Sequence, residues 1–264
     1  MPYRIDIPRA DDAALDRLVE LGALDVERSP GGGIAALMPD GVAPESVALA
    51  LGVGGLSISP AVGRDAGSVW TLSPRATRTG RLRIVPADAV AEPGVLRLTD
   101  SAAFGTGLHP TTAMCLEAIE EHLQPSAPEA LLDVGTGSGV LALAALLMGV
   151  PRALGLDLDA EALRAAAENA RLNALDGRLQ LVLGGPDAVA GAWPLVVANV
   201  LAAPLVELAP VLVRRVGHHG RLVLSGIPSS VEPDVDRAYR RLGMRRVRAQ
   251  SRAGWSALVL QASW

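Results

Sequence analysis

Apolar and polar positions follow two different rhythms along this chain. In the first sixty residues the apolar runs are short. Tyr3–Ile7 reads as a strand, and Asp11–Leu21 places Ala14, Leu15, Leu18 and Val19 at helical spacing. Ala23–Arg28 and Ile34–Met38 flank Pro30-Gly31-Gly32-Gly33, as the arms of a hairpin flank its turn. Pro44–Leu51 reads as a second helix and Leu56–Val62 as a fourth strand. The order β-α-β-β-α-β predicts a small α+β, ferredoxin-like domain over 1–62. Residues 63–100 read as a linker and a strand pair. Gly63 to about Gly80 is irregular and polar around Trp70, and Arg81–Val85 and Val95–Leu98 are separated by Pro86 and Pro93.

From Ser101 the rhythm becomes strand, helix, strand, helix. Ala130–Val134, Ala153–Leu158, Leu179–Leu183, Leu195–Val200, Arg221–Leu224, Met244–Ala249 and Trp255–Gln261 read as strands. Between them, Val140–Met148 is apolar all round, and Ala160–Leu175, Pro204–Val216 and Val231–Leu242 read as further helices. Apolar strands alternating with helices predict a parallel sheet covered on both faces. The last two strands have no helix between them, which predicts one antiparallel strand.

Composition narrows the function classes. The chain has 264 residues, half of them hydrophobic, and a net charge of −4. A protein held to nucleic acid by its phosphates carries a basic excess, so no stable nucleic-acid partner is expected. The 24 basic residues are all arginine. The lone Cys115 can form neither an internal disulfide nor a zinc cluster, which fits a reducing compartment. The longest apolar stretch, Val140 to Val150, is too short to span a bilayer. A cytoplasmic monomer without a membrane association is the expectation, and no metal-ligand cluster is present in the pattern.

Three motifs carry chemistry. Asp133-Val134-Gly135-Thr136-Gly137-Ser138-Gly139 joins the first strand of the large domain to its first crossover helix, where glycines permit a sharp turn and a close backbone approach to a ligand. The second strand ends in Asp157, where an acid at the carboxyl edge can accept hydrogen bonds from both hydroxyls of a ribose. The glycine spacing is G-x-G-x-G, which suits a nucleoside without a pyrophosphate better than a dinucleotide. The fourth strand ends in Asn199, in the same crevice, where its amide can orient an amine or hold the cofactor. The residues after it, Val200-Leu201, offer no ring on which a flat nucleobase would stack. Upstream, Phe104-Gly105-Thr106-Gly107-Leu108-His109-Pro110-Thr111-Thr112 is dense in hydrogen-bonding groups and reads as a lid. Thr111 and Thr112 are candidate caps for a helix over Ala113–His122, and His109 reads as structural rather than as a base.

Taken together, the string Ala103–Thr112, the loop Asp133–Gly139, Asp157, Asn199-Val200-Leu201 and Leu224-Ser225-Gly226-Ile227 resemble the bacterial methyltransferases of ribosomal large-subunit protein eleven. The resemblance runs from about Ser101 to the end. It implies an α/β, Rossmann-like, seven-stranded class I methyltransferase domain over 101–264, with S-adenosylmethionine as cofactor and a ribosomal large-subunit protein as substrate. It implies cofactor contacts at Thr112, Gly135, Asp157 and Asn199, with Phe104, Thr106 and Gly137 beside them. Asn199 is then also the orienting group for the reaction. The small N-terminal domain would recognise the protein substrate, and lysine side chains, N-terminal amines or both would be methylated.

Overall fold

Ile5 and Ile7 alternate with half-buried neighbours along β1 (Tyr3–Ile7), so one face of this strand lies in a core. It is followed by α1 (Asp12–Glu20), β2 (Asp25–Ser29), β3 (Gly33–Met38), α2 (Pro44–Leu51) and β4 (Ser57–Pro60). This is a computed structural model, and it describes the chain apart from residues 1–2, 22, 24, 30–32, 39–41, 61–75, 100–108, 125 and 253. Within it the chain divides into two units, Met1–Leu72 and Ser73–Trp264. The four strands of the first unit form an antiparallel sheet in the order β2-β3-β1-β4. Asp11 caps α1 by accepting the Ala14 N–H at 3.0 Å. Gly52, at φ +61°, ends α2 in the left-handed conformation that glycine adopts without strain.

The second unit opens with β5 (Thr77–Thr79), β6 (Leu82–Pro86) and β7 (Val95–Leu98), a three-stranded sheet. β5 falls where the sequence pattern suggested only linker. β6 and β7 are parallel, not a hairpin, with residues 87–94 carrying the chain back. Leu82, Ile84, Leu96 and Leu98 of this sheet share a core with the helices that follow.

Those helices and strands are α3 (Pro110–His122), β8 (Ala130–Val134), α4 (Val140–Leu147), β9 (Arg152–Asp157), α5 (Ala160–Leu172), β10 (Leu179–Leu183), β11 (Trp193–Asn199), α6 (Ala202–Arg215), β12 (Val216–Pro228), α7 (Glu232–Arg240), β13 (Met244–Arg252) and β14 (Trp255–Ala262). The strands form one seven-stranded sheet, ordered β10-β9-β8-β11-β12-β14-β13. The pairs from β10 to β12 are parallel, and β14 runs antiparallel to both of its neighbours. This is the Rossmann-like class I methyltransferase architecture, and its single reversed strand is one of the final pair.

Both faces of the sheet are covered, and the strand period shows it. Leu131, Leu195, Val197 and Val223 pack with α3 and α4, whereas Leu132, Val196, Ala198, Leu222 and Leu224 pack with α6 and α7. α4 is buried along nearly its whole length, as its all-apolar sequence requires. On the other face the Tyr239 hydroxyl donates to the Leu205 carbonyl at 2.7 Å, which satisfies a phenol that burial pushes well above its ordinary range. The strand order reverses between β8 and β11, so the crevice of an open α/β sheet falls at their carboxyl ends. No helix among the described residues is long and apolar enough to cross a membrane.

Candidate active site

The turn after β8 is built by hydrogen bonds that demand glycine. Gly135 and Thr136 both donate their N–H groups to the Leu156 carbonyl at 2.8 Å, which folds the loop back over β9. Gly135 lies at φ +73°, and a Cβ there would come within 2.4 Å of Val200 Cγ1. Gly139, at φ +81°, is the residue from which α4 begins, and a Cβ there would meet Ala166 Cβ at 3.1 Å. Gly137 also lies at positive φ, +54°. Its N–H is donated to Asp157 Oδ2 at 2.9 Å.

Asp157 therefore stands at the end of β9 with its carboxylate facing the glycine loop. Oδ2 receives Gly137, and Oδ1 receives the Asp159 N–H at 3.0 Å. Each oxygen keeps a lone-pair direction for a further donor. Asp159 in turn caps α5 by accepting the Glu161 N–H at 2.9 Å. Leu158, between them, is 81% exposed.

Asn199 closes the third side. Its amide Nδ2 donates to Thr112 Oγ1 at 3.4 Å, joining β11 to the first turn of α3. Its Oδ1 is buried with no hydrogen-bond partner among the described residues. An acceptor buried without a donor is costly unless a ligand supplies one. Val200, the next residue, is wedged between two glycines. Gly135 faces its Cγ1, and a Cβ at Gly226 would come within 2.2 Å of its carbonyl oxygen. The sequence-predicted residues Thr112, Gly135, Gly137, Asp157 and Asn199 thus converge on one rim. Phe104 and Thr106, like Trp70 in the linker, lie outside the described residues.

The capping expectation needs correction. α3 begins at Pro110, so Thr111 and Thr112 lie inside its first turn rather than ahead of it. His109 is the cap: its Nδ1 accepts the Thr111 N–H at 3.4 Å and lies 2.7 Å from Thr111 Oγ1. Burial pushes this imidazole down to about 4, so it stays neutral and can accept near pH 7. Its ring stands edge-on to Trp255, with centroids 5.2 Å apart.

Two further residues support the rim: Asp133, the acid that opens the glycine motif, and Asn169, which the sequence pattern did not single out. Asp133 is fully buried beneath the loop, where Oδ2 accepts from Thr136 Oγ1 at 2.8 Å and from the Ala142 N–H at 3.3 Å. Burial pushes its carboxyl up to about 7, while those two hydrogen bonds pull it back and the charge of Asp157 adds to the rise. Asn169, also fully buried, donates to the Ser138 carbonyl at 2.9 Å and accepts from the Thr99 N–H and hydroxyl at 2.8 and 3.0 Å. It ties the glycine loop to the end of β7. The available signal was the pair Asn169 and Asn173, one turn apart in an otherwise Ala-, Leu- and Arg-rich helix.

The chain that carries this rim is similar to known proteins. Residues 74–263 match the family model described as Ribosomal protein L11 methyltransferase (PrmA). A relative from Geobacter sulfurreducens, named ribosomal protein L11 methyltransferase, is 41% identical over 170 residues, covering 64% of this chain and 55% of that protein. The match therefore spans about half the length of that relative. A second, of the same name from Myxococcus xanthus, is 33% identical over 97% of this chain and 96% of its own length. Among solved structures, a ribosomal protein L11 methylase from Lactobacillus delbrueckii subsp. bulgaricus superposes with a TM-score of 0.64 at 31% identity, over 73% of this chain and 99% of that one.

Proposed function

Because this chain belongs to the ribosomal protein L11 methyltransferase family, we propose that it transfers methyl groups from S-adenosylmethionine to amino groups of ribosomal protein L11. The acceptors are lysine side chains, N-terminal amines or both. The observation that carries this reading is the convergence of Gly135, Asp157 and Asn199 on one rim of the sheet, with a buried acceptor oxygen that has no partner among the described residues. These residues fit the cofactor: Asp157 is a carboxylate with spare lone pairs for two vicinal hydroxyls, held against the glycine loop by the Gly137 N–H.

S-adenosylmethionine supplies an electrophilic methyl group on a cationic sulfur, so the protein's work is to bind, orient and exclude water. Asp157 grips the ribose, and Gly135 and Gly137 bring backbone close to the nucleoside. Thr112 braces Asn199 across the crevice. Asn199 accepts an N–H of the incoming amine through Oδ1 and so aims its lone pair. A lysine amine has an unperturbed pKa of about 10.4 and must be neutral to react. Desolvation on entering the rim favours that neutral form. The proton displaced on methylation leaves to solvent.

The N-terminal unit, with its β-α-β-β-α-β order over 1–62, is the substrate-recognition domain in this reading, and β5–β7, read in the sequence as part of a linker and strand pair over 63–100, belong with 101–264 in the methyltransferase unit. The enzyme works as a cytoplasmic monomer and holds no stable nucleic-acid partner, in keeping with its net charge of −4. The test is incubation of the purified enzyme with methyl-labelled cofactor, purified ribosomal protein L11 and a lysate lacking the enzyme. Label is expected on the ribosomal protein, at lysine or terminal amine. Label confined to RNA or to small molecules would sink the assignment.

A further inference from the structure

β7 is the outer strand of its three-stranded sheet, so one line of its backbone groups has no strand to pair with. Two asparagines one turn apart take that place. Asn173, at the end of α5, accepts the Arg97 N–H at 2.9 Å and donates to the Arg97 carbonyl at 2.7 Å. Asn169 accepts the Thr99 N–H at 2.8 Å and the Thr99 hydroxyl at 3.0 Å through one oxygen. Both side-chain amides stand in for the peptide groups of a missing neighbour strand.

The two differ in where the amide nitrogen goes next. Asn173 donates to the Asn169 carbonyl of its own helix at 2.7 Å. Asn169 donates to the Ser138 carbonyl at 2.9 Å, inside the glycine loop. That carbonyl belongs to the same planar peptide group as the Gly139 N–H, which donates to the Thr136 carbonyl at 2.8 Å. The plane is therefore held at both of its polar ends. On one side of it Gly137 gives its N–H to Asp157, and on the other α4 begins. Ser138 is buried, so a carbonyl that loses its amide donor here favours a shifted loop.

We propose that Asn169 is a positioning residue for the cofactor. By holding the Ser138 carbonyl it fixes the turn through which Gly137 meets Asp157, the pair that faces the nucleoside in the proposed function. Asn173 shares the contact with β7 but not the contact with the loop, so it acts on folding alone. The inference rests on the cofactor half of the proposed function and is independent of the methyl acceptor.

The experiment compares the full chain as wild type, Asn169→Ala, Asn173→Ala and Thr99→Val, by calorimetric titration with S-adenosylmethionine and by thermal melting. Both asparagine variants are expected to melt below wild type. Asn169→Ala alone is expected to lose cofactor affinity, by about tenfold, equivalent to about 1.4 kcal/mol. Asn173→Ala and Thr99→Val, which leave the bond to Ser138 in place, are expected to stay within about twofold of wild type. Where Asn169→Ala does not fold, Asn169→Leu, which fills the same space without an amide, carries the same test. Unchanged affinity in the folded Asn169 variant overturns the proposal. So do equal losses in the Asn169 and Asn173 variants, which would assign the effect to the edge of β7. Wild type that binds no S-adenosylmethionine overturns the function reading and the positioning role together. Wild type that binds it equally well with and without the Asn169 amide overturns the positioning role alone.

Discussion

Two regions of one sheet are held together by opposite means. At the carboxyl ends of β8, β9 and β11, the loop, the carboxylate and the carboxamide are fixed by hydrogen bonds and by glycines with no room for a side chain. At the far edge, β13 and the end of α7 carry seven arginines and no acid between Arg237 and Arg252. Those arginines lean on carboxylates of other segments: Arg246 on Glu232 and Asp236, Arg248 on Glu121, and Arg252 on Glu117 at 3.0 Å. The arginines of these pairs are 42–45% exposed, so water and salt screen them. Chemistry that needs a fixed position is placed where packing dictates geometry. The edge strand needs only to be charged enough to refuse a partner strand.

Substitutions at the two regions should therefore differ in size and in kind. Gly135→Ala carries the largest expected effect. A left-handed alanine whose Cβ overlaps Val200 should cost about 2–4 kcal/mol of stability, read by urea denaturation. A cost under about 0.5 kcal/mol would mean that the clamp on Val200 is loose. Asp157→Ala should leave stability nearly intact while calorimetric affinity for S-adenosylmethionine falls about 100-fold, near 2.7 kcal/mol. Unchanged affinity would remove the carboxylate from the site.

Asp133 allows a sharper comparison through pH. Burial raises its folded-state carboxyl to about 7, above the unfolded value near 3.9. Between these values the folded state holds a proton that the unfolded state releases, so this group withdraws stability as pH climbs from about 4 to 7, at no more than about 1.4 kcal/mol per unit. His109 acts in the opposite direction. Burial lowers it to about 4, so it withdraws stability as pH falls from about 6.5 to 4. The two nearly cancel in wild type across that window. Asp133→Asn removes one of them: relative to wild type, the variant should gain stability from pH 4 to 7 and level off above. A difference flat with pH would mean that the carboxyl is not raised. The smallest effect belongs to the arginine edge, where Arg248→Ala should cost about 0.2–1 kcal/mol, less at high salt. A loss above about 2 kcal/mol there would erase the contrast between the regions.

The periodicity of the chain was enough to place most elements because each reports a local rule. Pro44–Leu51 was legible as a helix to the residue, and β7 as a strand. Boundaries failed where tertiary contacts prolong or start an element. β12 runs Val216–Pro228, far beyond the apolar run 221–224, because the chain on either side of that run adds to the strand through pairing with β11 and β14. α3 starts three residues earlier than its apolar pattern, because His109 supplies the cap that a threonine was expected to give.

The crevice was legible for a different reason. Glycine at 135 and 139 is demanded by backbone geometry at a strand-to-helix turn, and the acid at the end of β9 by its place at the carboxyl edge of the sheet, and such demands are written residue by residue. By itself, then, the amino-acid order determined the alternation of strand and helix, the glycine turn and its companions Asp157 and Asn199, and the family likeness. Only the tertiary structure decided that β6 and β7 run parallel and that Asn169 bridges Ser138 to Thr99. It also decided that Val200 is held between Gly135 and Gly226. Hydrophobic period and turn chemistry act over a few neighbouring residues and are read along the chain. Contacts between residues seventy positions apart depend on how layers close over one another, which no local pattern encodes.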